Sequence, residues 1–337
     1  MPKFVNIKDV AKLAGVSCAT VSRVINKSST VKPAKHIKVE QAIKKLKFKP
    51  NLMARQLARG KSNTIALVIP RYEGIFYSYY GLEVIRGIGT ICDSLKMDIL
   101  LHITEPKNVL NLSSVGGIIF AEVFKERLQL EEALRLRIPT VVMNSLIQDL
   151  DVTCVAIDNK QGAIDAVNYL FDLGHRDIAY ISGGFLTQAA KDRTYGYLSA
   201  LKARKIPVKE EFIVHGDYSR RSARAAAEKI LSLKHKSTAI FAASDDMAQE
   251  AISVIIEKGL RVPDDISVIG FDDNPISIYG SVPLTTVRQP LMEMAQIAVR
   301  ELDLLMKGEA KVSKFVLPAK LIIRDSCKAI ATGSKTA

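Results

Sequence analysis

The stretch GVSCATVSRVINK, residues 15–27, gathers hydroxyls, a thiol, a guanidinium and an amide, with no histidine and no carboxylate among them. Such a set donates and accepts hydrogen bonds but holds no base that would activate a nucleophile, so the chemistry it offers is recognition. Ser17 can cap a helix whose Val21, Val24 and Ile25 turn inward, leaving Cys18, Ala19, Ser22 and Arg23 outside. On such a helix Arg23 is the natural two-pronged partner of a guanine edge. Cys18, Ala19 and Thr20 can pack on a thymine methyl or a sugar wall, with Asn26 closing the set.

Helical spacing supplies the frame that holds these side chains. Ile7, Val10, Ala11 and Ala14 fall at i, i+3, i+4 and i+7, with Asn6 as N-cap and Gly15 just past the end. This helix and the one begun at Ser17, joined by a Gly-Val-Ser turn, form a helix-turn-helix, whose second helix presents its N-terminal side chains to the DNA major groove. A third helix is expected from about Pro33, with Val39, Ala42, Ile43 and Leu46 on one face. The charge distribution agrees. Of a formal net charge of +13, residues 1–61 hold twelve lysines and three arginines against Asp9 and Glu40, while the remaining residues balance at 33 basic and 33 acidic. An excess confined to the first fifth of the chain suits a polyanion-binding module on a neutral body. A solvated lysine-rich face is the plain alternative.

The runs NIKDVAKLAGVSCATVSRVINKSSTVKP, VEQAIKKLKFKPN and LMARQLARGKSNTIALVIP strongly resemble the lactose-repressor (LacI/GalR) family of bacterial transcription regulators, most specifically over residues 4–70 and more loosely to about residue 326. The resemblance implies a helix-turn-helix domain over 1–50, a hinge helix and linker over 51–62, and an effector-binding and dimerisation domain over 63–328. A small, polar tail follows at 329–337. In the family, two hinge helices from a dimer meet in the minor groove and wedge a leucine between base pairs; by position that leucine is Leu57, with Asn51 and Arg55 beside it. So short a helix is marginal alone in water, because nucleation is costly, and should order only when docked. The implied partners are a palindromic double-stranded DNA operator, a second copy of the chain and a small effector, sugar-like or purine-like. The implied activity is repression.

From Asn63 onward, apolar runs of strand length alternate with helical stretches: TIALVIP (64–70), DILLHI (98–103), GGIIFA (116–121), IPTVVM (138–143), DIAYIS (177–182), TAIFAA (238–243) and ISVIGF (266–271). Such runs, separated by helices, read as parallel α/β sheets covered on both faces, and they are too many for one small sheet. The family resemblance implies two doubly wound subdomains around a cleft, similar to periplasmic sugar-binding proteins. One would cover 63–158 and 288–319, the other 159–287 and 320–328. In open sheets of this kind ligands bind beyond the carboxyl ends of the strands. That rule singles out Tyr72 and Phe76 after the first run, Asn144 after IPTVVM, Asp158 after TCVAI, Ser244 and Asp245 after TAIFAA and Asp272 after ISVIGF, with Tyr218 as a further aromatic cover. Arg193, in KDRTYGY, matches the family's cleft arginine. An arginine facing Asp272 suits a sugar or purine-like ligand, since one donates a fork of hydrogen bonds and the other accepts from hydroxyls.

Other classes find little footing. The N-terminal MPKFVNIKDVAK has no apolar signal core and no run approaches eighteen apolar residues, so the expectation is a cytosolic protein with no membrane partner, and the family resemblance implies the bacterial nucleoid as its place. Four cysteines and five histidines are scattered without ligand spacing, which argues against a metal, a disulfide framework or a cofactor. No G-x-S-x-G elbow, P-loop or strand-linked G-x-G-x-x-G supports an enzyme. A ligand-independent DNA-binding role is the rival, and two departures from the family pattern keep it open. Only EPKNVLNLSSVG separates the second and third strands, so the crossover helix is expected to be short or absent, in a region that helps form the family's dimer face. The first loop, RYEGIFYSYY, is rich in tyrosine where the family has an Asn-Pro-Phe-like run.

Overall fold

The computed structural model describes residues 6–25, 30–46, 48, 62–71, 78–105, 107–112, 114–124, 127–184 and 187–330. The chain divides into two units, Met1–Asn63 and Thr64–Ala337.

The first unit holds α1 (Ile7–Ala14), α2 (Cys18–Ile25) and α3 (Pro33–Lys45). Asn6 Oδ1 accepts from the amides of Lys8 and Asp9 at 2.8 and 3.2 Å, while the Asp9 carboxylate accepts from the Asn6 amide at 2.9 Å. This reciprocal cap satisfies donors that the start of a helix otherwise leaves open. Gly15, at φ +65°, ends α1 in the left-handed turn that leads to α2. Val10, Ala11, Ala14, Val21, Val24, Val39 and Ala42 form the core. These side chains are small, so three short helices can approach closely.

The second unit is built on two six-stranded sheets. The first contains β1 (Thr64–Pro70), β2 (Asp98–Thr104), β3 (Gly117–Phe120), β4 (Thr140–Met143), β5 (Thr153–Ile157) and β11 (Lys314–Leu317). Its order is β11-β5-β4-β3-β1-β2, parallel throughout. The second contains β6 (Ile178–Ser182), β7 (Ile213–His215), β8 (Ala239–Ala242), β9 (Ser267–Asp272), β10 (Thr285–Arg288) and β12 (Lys320–Ile322), in the order β12-β10-β9-β8-β6-β7. Each sheet reverses its winding beside its first strand, between β1 and β3 and between β6 and β8. In doubly wound folds that reversal opens a crevice at the carboxyl ends.

Helices α4 (Tyr79–Leu95) and α10 (Leu291–Lys307) pack together on one face of the first sheet, and α5 (Leu128–Arg135) lies on the other. Around the second sheet, α6 (Asn159–Asp172) pairs with α7 (Gln188–Ala203) and α8 (Arg220–Ser232) with α9 (Asp245–Glu257).

Three structural features depart from or refine the sequence expectations. The β10 and β12 strands are antiparallel, against the expected parallel arrangement. The chain leaves the carboxyl end of β11 and, after two residues, enters the second sheet at the carboxyl edge that faces it, so β12 must run backwards. Between β2 and β3 no helix forms among the described residues. Leu110, Leu112 and Val115 instead pack as irregular chain against the α5 face, where Gln129 Nε2 donates to the carbonyls of Glu105 and Asn108 at 3.0 and 2.6 Å. The tail expected from residue 329 begins pinned: His175 Nε2 meets the Lys328 carbonyl at 3.1 Å and the Ile330 amide donates to Leu173 at 2.9 Å.

Candidate functional site

In the first unit, α2 buries Val21 and Val24 and exposes Cys18, Ala19 and Arg23, with Thr20 and Ser22 half-exposed. Ser17 is spent locally. Its hydroxyl accepts from the Thr20 amide at 3.2 Å and lies 3.0 Å from Thr20 Oγ1, so it caps α2 as expected. The exposed remainder is the set proposed for base edges. Asn26, Asn51, Arg55 and Leu57 lie outside the described residues, as do Tyr72 and Phe76 of the proposed cleft.

In the second unit, the carboxyl ends of the two sheets meet through main-chain and side-chain contacts. Phe124, after β3, forms a β-bridge with Thr187, before α7. The Leu146 amide, after β4, donates to Gln188 Oε1 at 2.8 Å. Between these contacts lies a buried polar cluster. Arg193 on α7 is 4% exposed; its Nε donates to Asn159 Oδ1 at 2.9 Å, its Nη1 donates to the Ala243 carbonyl at 2.5 Å, and its plane covers the Phe271 ring at 3.9 Å. Asp272 Oδ1 stands 3.8 Å from Nη1 and accepts from Gln289 Nε2 at 2.5 Å. Asn144 Nδ2 donates to Glu122 at 3.4 Å, and its Oδ1 accepts from Asn159 Nδ2 at 3.4 Å. Tyr218 lies over Gly183, where a Cβ would fall 2.0 Å from the ring, and only glycine gives the phenol this seat.

The electrostatics follow from burial. Burial pushes the Glu122 carboxyl up to about 7, against the opposing charge of Arg193 and hydrogen bonds from Thr187 and Asn144. Asp272 is likewise pushed up to about 7 by burial, opposed by Arg193 and reinforced by Asp246. Asp245, fully enclosed beneath them, is raised by burial and by Asp272 while it accepts from Thr286 at 2.5 Å and the Asn274 amide at 2.7 Å. Asn144, Tyr218 and Asp272 hold φ of +56°, +67° and +129°, conformations that non-glycine residues adopt at a cost. Such outliers concentrated in one place fit a site whose geometry takes precedence over backbone comfort.

Of the cleft residues read from the sequence, Arg193, Asp272, Asn144 and Tyr218 come together. Asp158 and Ser244 lie at the N-termini of α6 and α9 and spend their side chains on the Gln161 and Met247 amides at 2.9 and 3.3 Å. Arg193 and Asp272 both belong to elements of the second sheet, so their pair spans no gap between the sheets; Glu122 with Thr187 and Asn144 with Asn159 do that. Glu122, Asn159 and Gln289 escaped the sequence reading, although each stands within two residues of a strand end, where the carboxyl-end rule would have found it.

Two family models match the chain: "Bacterial regulatory proteins, lacI family" over residues 6–51 and "Periplasmic binding protein-like domain" over residues 167–327. Catabolite control protein A of Priestia megaterium is 37% identical, covering 96% of this chain and 99% of that protein. The protein named "Probable HTH-type transcriptional repressor ExuR" of Bacillus subtilis is 35% identical over 98% of this chain and its own full length. The chain belongs to the lacI family. Among solved structures, the lac repressor dimer bound to operator and the anti-inducer ONPF superposes on this lacI-family chain with a TM-score of 0.84, at 29% identity over 97% of this chain and all of that one. The chain is thus a DNA-binding regulator of transcription, not an enzyme, with a helix-turn-helix unit and a periplasmic-binding-protein-like body. No helix among the described residues is long and apolar enough to cross a membrane.

Proposed function

We propose that this lacI-family protein is a repressor that binds a palindromic operator as a homodimer and senses a small, sugar-like or purine-like effector in the cleft between its two sheets. In this reading residues 1–50 read the operator, 51–62 form the hinge, 63–328 sense the ligand and pair the subunits, and the protein acts at the nucleoid in the cytoplasm. Cys18, Ala19, Ser22, Arg23 and Asn26 meet base edges, sugars and phosphates, Ser17 and Thr20 fix the helix that carries them, and Leu57 wedges the minor groove beside Asn51 and Arg55. Tyr72, Phe76, Asn144, Asp158, Arg193, Tyr218, Ser244 and Asp272 surround the effector.

The observation that carries the reading is the buried polar cluster where the two switch points meet. Arg193 at 4% and Asp272 at 9% exposure, with the half-buried Glu122 beside them, are polar groups that apolar packing could replace in a purely structural body with little loss of stability. A ligand with unequal affinity for open and closed clefts shifts operator affinity by that difference and no more. Selection from a random DNA library with full-length protein tests the reading, followed by titration of the selected fragment with neutral sugars and nucleobases. The expected result is an inverted repeat, binding that weakens steeply with salt, and a ligand that shifts it. Enrichment of no inverted repeat overturns the repressor assignment.

A further inference from the structure

Among the described residues the cleft brings together two acidic groups, Asp272 buried and Glu122 half-buried, against one basic group, Arg193. Glu122 and Asp272 are its two carboxyls, and both lie within electrostatic reach of Arg193 and of the Tyr218 phenol. The neighbouring acids are already answered. Asp273 accepts from Arg288 Nε at 2.6 Å and Arg324 Nη2 at 2.5 Å, and Asp246 lies 3.8 Å from Arg220. Asp245 has Thr286 and the Asn274 amide. Among the described residues Arg193 is the guanidinium that faces both cleft carboxyls, Arg127 near Glu122 being spent on Asp149, and it is heavily committed, with Nε and Nη1 bonded to Asn159 and Ala243 and one face against Phe271. A guanidinium held this way is a poor seat for an incoming anion, which would also meet two carboxyls. A second signal has the same sign. Gln289 is 4% exposed, its Nε2 is spent on Asp272, and its Oε1 is a buried acceptor with no donor among the described residues. Buried acceptors of this kind call for a partner that brings hydrogen.

We propose that the effector is a small polyhydroxylated molecule carrying a protonated amine, whose ammonium is answered by Glu122 and Asp272 and whose donors reach Gln289 Oε1. The inference rests on the effector reading above and narrows it from sugar-like ligands in general to cationic ones. It also assigns Glu122 as the residue that sets the charge preference. Because burial pushes both carboxyls up to about 7, an ammonium arriving there draws off their protons, so affinity rises as pH climbs toward 7 and falls again where the sugar's own amine loses its proton. Asp245, Asp246, Asp273, Arg193, Arg220, Tyr79 and Tyr218 are further titratable or charged groups around this pair, with Lys191, Asp192, Arg288 and Arg127 on the adjoining elements.

The test is calorimetric titration of full-length protein with matched trios on the gluco, galacto and manno skeletons: the 2-amino sugar, the neutral sugar and the uronate. One amino sugar should bind about tenfold or more tightly than its neutral and acidic counterparts, the scale of a close charge pair in a desolvated site. The isosteric Glu122→Gln should bring that preference toward parity, and its unchanged circular dichroism would show that it folds. If a neutral sugar or a uronate binds as tightly or more so, and Asp272→Asn removes that binding, the charge inference is overturned while the effector reading stands. If no member of any trio binds, the inference falls together with the effector half of the reading, and operator selection still decides the DNA half.

Discussion

The α2 face and the cleft both depend on one arginine, and they use it in opposite ways. Arg23 is exposed on a helix whose core is complete without it, so its five donors are free for a partner. Arg193 is buried, bonded to Asn159 and Ala243, and stacked on Phe271. The first is a recognition element laid on a fold; the second is part of the fold. An exposed site can change its specificity without changing its stability, whereas a buried site binds these two properties together.

The largest expected effect follows from that contrast. Arg193→Ala leaves Asp272 without its opposite charge and Asn159 Oδ1 and the Ala243 carbonyl without the donor that Arg193 supplied, and removing one member of a buried pair costs about 3 to 5 kcal/mol. Urea unfolding of the α/β unit should show that loss. A loss below about 1 kcal/mol, the scale of an exposed pair, would mean that the cluster is wetter than its burial indicates and would break the comparison. The same burial predicts a pH dependence. Glu122 and Asp272 keep protons up to about 7 in the folded chain, whereas unfolded carboxyls release theirs near 4. Between those values the folded state binds more protons, so their contribution to stability is present at low pH and declines as pH rises through the window. Glu122→Gln should make that decline shallower.

Sequence patterning reached the two regions to different depths. Exposure on α2 follows from helical period alone, and the caps at Asn6 and Ser17 are local, so both could be read from a dozen residues. The long apolar strands were equally legible. IVH, TTVR and KFVL, which form β7, β10 and β11, were passed over because strands of three or four half-polar residues have no period to detect. The cluster was only partly legible. Arg193 came from family resemblance, and Asn144 and Asp272 from their places after strands. Its partners Asn159 and Gln289 sit 34 and 96 residues from Arg193, and nothing local links them.

A second way to sharpen the contrast is to disturb the cleft without touching a charge. Gly183→Ala places a methyl where the Tyr218 ring lies, and overpacking of a filled site costs about 1 to 3 kcal/mol. The chain has no tryptophan but ten tyrosines, so acrylamide quenching of tyrosine emission, taken as the difference from chains that also carry Tyr218→Phe, isolates this ring. It should rise in the variant; unchanged quenching would show that the backbone yields instead of Tyr218.

On the exposed side, Arg23→Ala should leave unfolding within about 0.5 kcal/mol of the parent, as for surface substitutions generally. Its cost should appear on DNA, as a loss of about 1 to 3 kcal/mol and relaxed preference at one position of each half-site. Band-shift titration against single-base operator variants separates the outcomes. Uniform weakening across all variants would move Arg23 from base reading to phosphate contact.

The smallest effect tests whether the exposed face is as independent of its fold as Arg23 suggests. Ser17 belongs to both. It stands at the start of the recognition helix, and its hydroxyl is committed to the Thr20 amide and to Thr20 Oγ1. Ser17→Ala should therefore cost about 1 kcal/mol of stability in the helical unit, the usual value of an N-cap, and weaken operator binding through the frayed first turn rather than through a lost base contact. Ser17→Asp separates the two. An aspartate restores the cap, so stability should return, while its charge faces the phosphates and operator affinity should fall further. If Ser17→Asp instead recovers both properties, the start of α2 lies farther from the DNA than a major-groove docking of this helix requires.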